Sequence, residues 1–97
     1  MKMITAVVQE EDSEDVVHHL MQAGYYATKI GSTGGFLARG NVTLLMGVED
    51  GEVEKVVDIV RHHCRQRMAV TKSRPPIQVR VGGAVIFIQD VVQCIRV

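Results

Sequence analysis

The sequence predicts an α+β fold, with two helices against one face of a sheet and the element order β-α-β-β-α-β. Three observations predict it. Short apolar runs rich in β-branched residues alternate with two stretches of helical periodicity. Acidic residues gather where each helical stretch begins, and glycine or proline stands between elements.

Met3 to Gln9 is a short apolar run and reads as a buried strand. The acids at 10, 11, 12, 14 and 15 surround Ser13, a capping residue type, and mark a helix start, where the peptide dipoles favour negative charge. Val16, Val17, Leu20 and Met21 recur at helical spacing, and Gly24 is placed as the stop. Tyr25 to Ile30 reads as the second strand and Val42 to Val48 as the third, with Gly40-Asn41 a turn signal before it. Glu49 to Glu52 opens the second helix, whose stripe is Val53, Val56, Val57 and Val60, with Cys64 one turn on. Arg61, His62, His63, Arg65 and Arg67 gather at its end, as the dipole favours. Pro75-Pro76 breaks the chain, and Ile77 to Ile88 reads as the last strand. The pair Gly82-Gly83 in its middle marks a bulge or the close approach of another backbone. The tail residues Val91, Val92 and Ile95 are apolar enough to pack.

This order is the split βαβ, ferredoxin-like arrangement, read as one domain over residues 1–97. Such a sheet has one face covered by helices and one bare. Here Ile4, Ala6 and Val8 alternate with Thr5 and Val7, and Leu44-Leu45-Met46 is continuous, so both faces carry apolar residues. A bare apolar face of that extent predicts self-association.

Composition narrows the function. Apolar residues make up 46% of the chain with no Trp, so Val, Ile, Leu and Met must form the core. Eleven basic residues balance eleven acidic ones, which argues against a partner bound through nucleic-acid phosphates or an anionic membrane. The apolar N-terminal run is too short for a signal peptide, and no stretch approaches the ~18 apolar residues of a membrane span. Cys64 and Cys94 then read as reduced thiols of a cytoplasmic protein.

Residues 27–41, ATKIGSTGGFLARGN, place Phe36-Leu37 in a glycine-rich loop. The loop fits neither common phosphate motif, since no Lys follows its last glycine and a strand, not a helix, comes next. It offers free backbone amides, the hydroxyls of Ser32 and Thr33, and Arg39. Phe36 either stacks on a nucleobase or tucks into a neighbouring subunit at a tight turn. The pairs His18-His19 and His62-His63 cannot chelate through both rings, because adjacent helical residues point ~100° apart. A metal site would need one His from each helix together with Cys64. Solvated histidines are the expectation, and no metal or cofactor is expected. The acidic run reads as a solvated helix turn, and Arg65, Arg67, Lys72 and Arg74 as a solvated helix end and loop. No pairing of nucleophile and base is supported by spacing, so no enzyme is predicted, and the aromatic sheet face of an RNA-recognition domain is missing.

Met1 to Ile4, Ala27-Thr28-Lys29, Ser32 to Leu37, Gly40-Asn41, Gly47-Val48 and Val81 to Ala84 together resemble the PII-like cyclic-di-AMP receptor family. The similarity runs in order along nearly the whole chain. It implies a PII-like trimer that binds cyclic di-AMP in clefts between subunits, signals to a downstream protein and has no catalytic activity. It further implies hydrogen bonds to the ligand from Thr28 and Asn41, an adenine pocket lined by Gly35, Phe36 and Leu37, and room beside Gly47. Phe87 matches the family's aromatic that packs on a base from the adjacent chain. Two places depart from the family. Tyr26 stands where ligand-binding members typically carry Arg, which opens the site to another adenine nucleotide stacked on Tyr26. Met68 to Gln78 replaces a longer loop that in the family lies near the ligand. The competing reading is a structural or protein-interaction trimer with no small ligand.

Overall fold

The computed structural model describes residues 1–32, 40–64, 66–70 and 73–97. Among these described residues, six strands and two helices follow in the order β1 (Lys2–Gln9), α1 (Glu10–Gln22), β2 (Thr28–Ser32), β3 (Asn41–Val48), a 3-10 turn (Asp50–Glu52), α2 (Val53–His63), β4 (Gln66–Val70), β5 (Gln78–Gly82) and β6 (Ala84–Asp90). Four of the strands form an antiparallel sheet of order β2-β3-β1-β6, and β4 and β5 form a separate hairpin.

The alternation read in β1 and β3 decides which face is covered. Ile4, Ala6 and Val8 pair with Met46, Leu44 and Val42 on one side and with Ile88, Ile86 and Ala84 on the other. Together with Val16 and Leu20 of α1 and Val56 and Val60 of α2, these β1 and β3 residues form the buried core. Direct partners in a sheet share a face. The opposite face therefore carries Met3, Thr5, Val7 and Gln9 of β1, Asn41, Thr43, Leu45 and Gly47 of β3, Thr28 and Ile30 of β2, and Val85 and Phe87 of β6.

Helix α1 starts earlier than Ser13 suggests. Its cap is Gln9, in extended conformation and with no side-chain capping bond, while Glu10, Glu11 and Asp12 form an acidic first turn. Ser13 lies inside that turn, buried, and its Oγ donates to the Glu10 carbonyl at 2.8 Å. The stop at Gly24 is as read. Its N–H donates to Met21 O at 3.0 Å and that of Tyr25 to Leu20 O at 2.8 Å, the double closure of a Schellman motif. The motif needs the left-handed φ of +90° that Gly24 adopts without strain.

Three expectations are corrected. Strand β2 begins at Thr28, so Tyr25, Tyr26 and Ala27 form a link and not a strand. The run from Ile77 to Ile88 is two strands, because Gly83 at φ 75° turns the corner at which β5 leaves for β4 and β6 joins β1. The segment Met68 to Gln78 is not all loop, since Gln66–Val70 pairs with Gln78–Gly82 as a hairpin. Met68, Val70 and Ile77 stay exposed on that hairpin, and the molecule measures 53 × 22 × 18 Å.

Candidate functional site: the helix-free sheet face

Thr28, Leu45, Thr5 and Phe87 form one row across the four strands. Strands lie about 4.8 Å apart, so three spacings put Thr28 and Phe87 about 14 Å from each other, on opposite edges of the sheet. Asn41 and Gly47 occupy the same face near the two ends of β3. Four residues singled out from the sequence thus share the face that the helices leave bare. It stays partly open. Phe87 is 42% exposed and Ile30 44%.

Tyr26 lies apart from that row, in the link before β2, and is 75% exposed. It borders a cleft of about 710 Å³ together with Met3, Gly47, Val91 and Arg96. This lies within the ~300–1,000 Å³ usual for small-ligand sites. A Cβ on Gly47 would meet nothing closer among the described residues than Met1 Sδ at 3.7 Å, an ordinary contact. Packing within the chain therefore does not demand glycine here. The cleft also carries Glu49 and Glu52, which disfavour phosphate, against Arg96 and the Met1 ammonium, the latter already paired with Asp50. A flat ring such as Tyr26 suits a base better.

At the other end of β3, Asn41 and its register partner Gln9 are both buried, at 3% and 1% exposure. Gln9 Nε2 has no hydrogen-bond partner among the described residues. It stands beside Gly40, where the glycine loop rejoins the sheet and accepts a 3.1 Å bond from Glu10 N–H. Gly35, Phe36 and Leu37 lie outside the described residues.

A model of the cyclic-di-AMP receptor family matches residues 1–97. The chain belongs to that family. It is 39% identical to the nitrogen fixation nifHD region GlnB-like protein 1 of Methanothermococcus thermolithotrophicus, over 63% of this chain and 70% of that protein. The crystal structure of a functionally unknown protein from Pediococcus pentosaceus matches with a TM-score of 0.80 at 33% identity, covering 99% of this chain and 96% of that one. Membership makes the chain a PII-like signalling receptor and not an enzyme. No helix among the described residues is long and apolar enough to cross a membrane.

Within this receptor the sequence reading missed several residues. Arg96, in a tail with no regular structure, has no periodic signal that could have placed it in the cleft with Tyr26. Gln9 is the polar last residue of β1 after the apolar Val7-Val8, and that was the available signal. Lys29 pairs with Leu44 and so points away from the helix-free face. The histidines also depart from expectation. His18 and His62 are exposed, as read, but His19 of α1 stacks on His63 of α2 at 3.8 Å between ring centroids. Asp15, not Cys64, is their third neighbour.

Hydrogen bonds also fix the wall of the cleft. The Tyr25 hydroxyl donates to Glu52, which raises the phenol pKa and lowers that of the Glu52 carboxyl, with Lys55 lowering it further. The N-terminal ammonium, 2.9 Å from Asp50, holds that carboxyl low as well. A carboxylate with a lowered pKa adds stability that is present above its unfolded value, about 4, and is lost as pH falls through its folded value. Wild type is therefore expected to lose more melting temperature between about pH 5 and about pH 3 than Tyr25→Phe, which lacks the Glu52 bond. Equal losses would show that the bond contributes nothing.

Proposed function

We propose that this receptor binds cyclic di-AMP, or a related adenine nucleotide, in clefts between the subunits of a cytoplasmic homotrimer formed by the domain 1–97. The observation that carries the reading is the helix-free face, which holds Thr28, Gly47 and Phe87 with exposed apolar residues such as Ile30, and Asn41 buried toward one end. Thr28 and Phe87 lie on opposite edges of the sheet, about 14 Å apart by strand spacing. Contact with one adenine from both therefore calls for two chains. Covering the face with second copies of the chain supplies that arrangement and removes the apolar surface from water. Thr28 and Asn41 would bond the nucleotide, Tyr26 would stack on a base at the cleft beside Gly47, and the signal would pass to a downstream protein.

A thermal-shift panel of cyclic di-AMP, ATP and AMP tests this, alongside sedimentation equilibrium. A ligand bound only by the folded state adds about 2.7 kcal/mol at a hundred times its Kd. A trimer stabilised by cyclic di-AMP is expected. A stable monomer at micromolar concentration contradicts the assembly. A trimer indifferent to the whole panel makes the chain an interaction scaffold instead. Phe36→Ala is expected to weaken nucleotide binding by about 1–3 kcal/mol with the trimer intact, the usual loss of one stacked base. Dissociation of that variant into monomers would make Phe36 an interface anchor.

A further inference from the structure

We propose that Asp15, His19 and His63 form a binding site for a divalent transition-metal ion of the zinc class, tying α1 to α2 on the side of the molecule away from the nucleotide face. Asp15 and His19 are one helical turn apart on α1, and His63 is the last residue of α2. Helix packing brings His63 to Asp15 across 48 positions of sequence, with Nδ1 2.9 Å from one carboxylate oxygen. His19 Nδ1 lies 3.3 Å from the other. One donor atom from each of the three residues lies within 4.8 Å of the others.

These distances are close to those of a filled site. Zinc bonds to imidazole nitrogen and carboxylate oxygen run about 2.0–2.2 Å, which puts tetrahedral donors about 3.3 Å apart. His63 and Asp15 need part by only a few tenths of an ångström to admit an ion in place of the proton between them. The two rings are stacked at 19°, so their lone pairs run side by side, and one ring must turn to aim at a shared ion. His19, at 36% side-chain exposure, has the freedom to turn. Its Nδ1 also lies 2.8 Å from the Asp15 carbonyl. Turning the ring gives up that contact, so that Nδ1 can meet the ion beside the Asp15 carboxylate.

The donor set selects the metal. Two imidazoles and one carboxylate suit zinc and its late first-row neighbours, whereas calcium and magnesium prefer all-oxygen shells. Asp15 is 57% exposed, so water can occupy a fourth position. An ion held by both helices cross-links the layer that covers the sheet, and its binding is read as a rise in melting temperature.

The test is a calorimetric titration of chelator-stripped full chain with ZnCl2, paired with melting curves and the Co2+ absorption spectrum. One ion per chain is expected, with a higher melting temperature and a Co2+ spectrum free of thiolate charge transfer. His63→Ala and Asp15→Asn should each weaken binding by about a hundredfold or more, since loss of even an outer partner costs 10–100-fold. The double change His18→Ala with His62→Ala serves as control and should bind as wild type does. Without metal, the melting curve of each variant shows whether it is folded. Absence of Zn2+ binding by wild type overturns the proposal. So does binding that survives His63→Ala, or that shows thiolate bands, because the ion would then sit elsewhere.

Discussion

Tyr26→Arg is expected to raise the affinity for cyclic di-AMP by about tenfold to a hundredfold. Arg presents a planar fork of donors to a phosphate, and a hydrogen bond to a charged partner is worth about 1.5–3 kcal/mol. Each 1.4 kcal/mol is tenfold in affinity. Tyr offers one hydroxyl and a ring, which is uncharged at neutral pH. Position 26 is 75% exposed, so a longer side chain enters without repacking the core. It borders the cleft with Gly47, and the cleft's other charged residues include Glu49 and Glu52, which do not help a phosphate. Lys29 cannot compensate from its position beside Leu44 on the helix side of the sheet. Arg96 borders the cleft and is a cation placed to do so, whereas the Met1 ammonium there is paired with Asp50. Tight binding by wild type that Tyr26→Arg leaves unchanged would contradict the expectation and give the phosphate contact to Arg96.

Leu20→Ala is expected to lower unfolding stability by about 3 kcal/mol, within the ~2–5 kcal/mol seen for buried Leu→Ala changes. Leu20 is 0% exposed and sits in the core with Val16, Val56 and the apolar residues of β1 and β3. Ala is the best helix former, so the loss comes from packing and the cavity left behind. Against a total of about 5–15 kcal/mol for a domain of this size, that is a large share. Met21, next in sequence but 51% exposed, is the control, and Met21→Ala should change stability by no more than about 0.5 kcal/mol. Denaturant titration of both variants reads the difference. Leu20 lies on the covered side of the sheet, so the folded variant should bind nucleotide as wild type does. Equal effects at the two positions would mean that α1 does not pack as described.

The elements that the sequence made legible are those whose burial repeats. Ile4, Ala6 and Val8 alternate because one face of β1 meets helices. Val56 and Val60 recur at helical spacing for the same reason on α2. Strand β4 carries no such signal. Among the described residues it pairs only with β5, and Met68 and Val70 are exposed, so no burial shapes its pattern. The pair Gly82-Gly83 signals a bulge or the close approach of another backbone, but that Gly83 is a corner depends on which strand each side pairs with. The site divides in the same way. Residues on strands, such as Thr28, Asn41, Gly47 and Phe87, fall on one face once register is known. Arg96 and the cluster of Asp15, His19 and His63 depend on how the tail and the two helices pack, and no local spacing encodes that.

On the proposed reading, this chain receives an adenine nucleotide at the helix-free face. Isothermal titration of wild type and Tyr26→Arg with cyclic di-AMP, ATP and AMP is the decisive test. Saturable binding of cyclic di-AMP or another of these nucleotides is expected, at one site per subunit, with cyclic di-AMP held more tightly by Tyr26→Arg. Binding of no nucleotide by either protein, with the trimer intact, would contradict it.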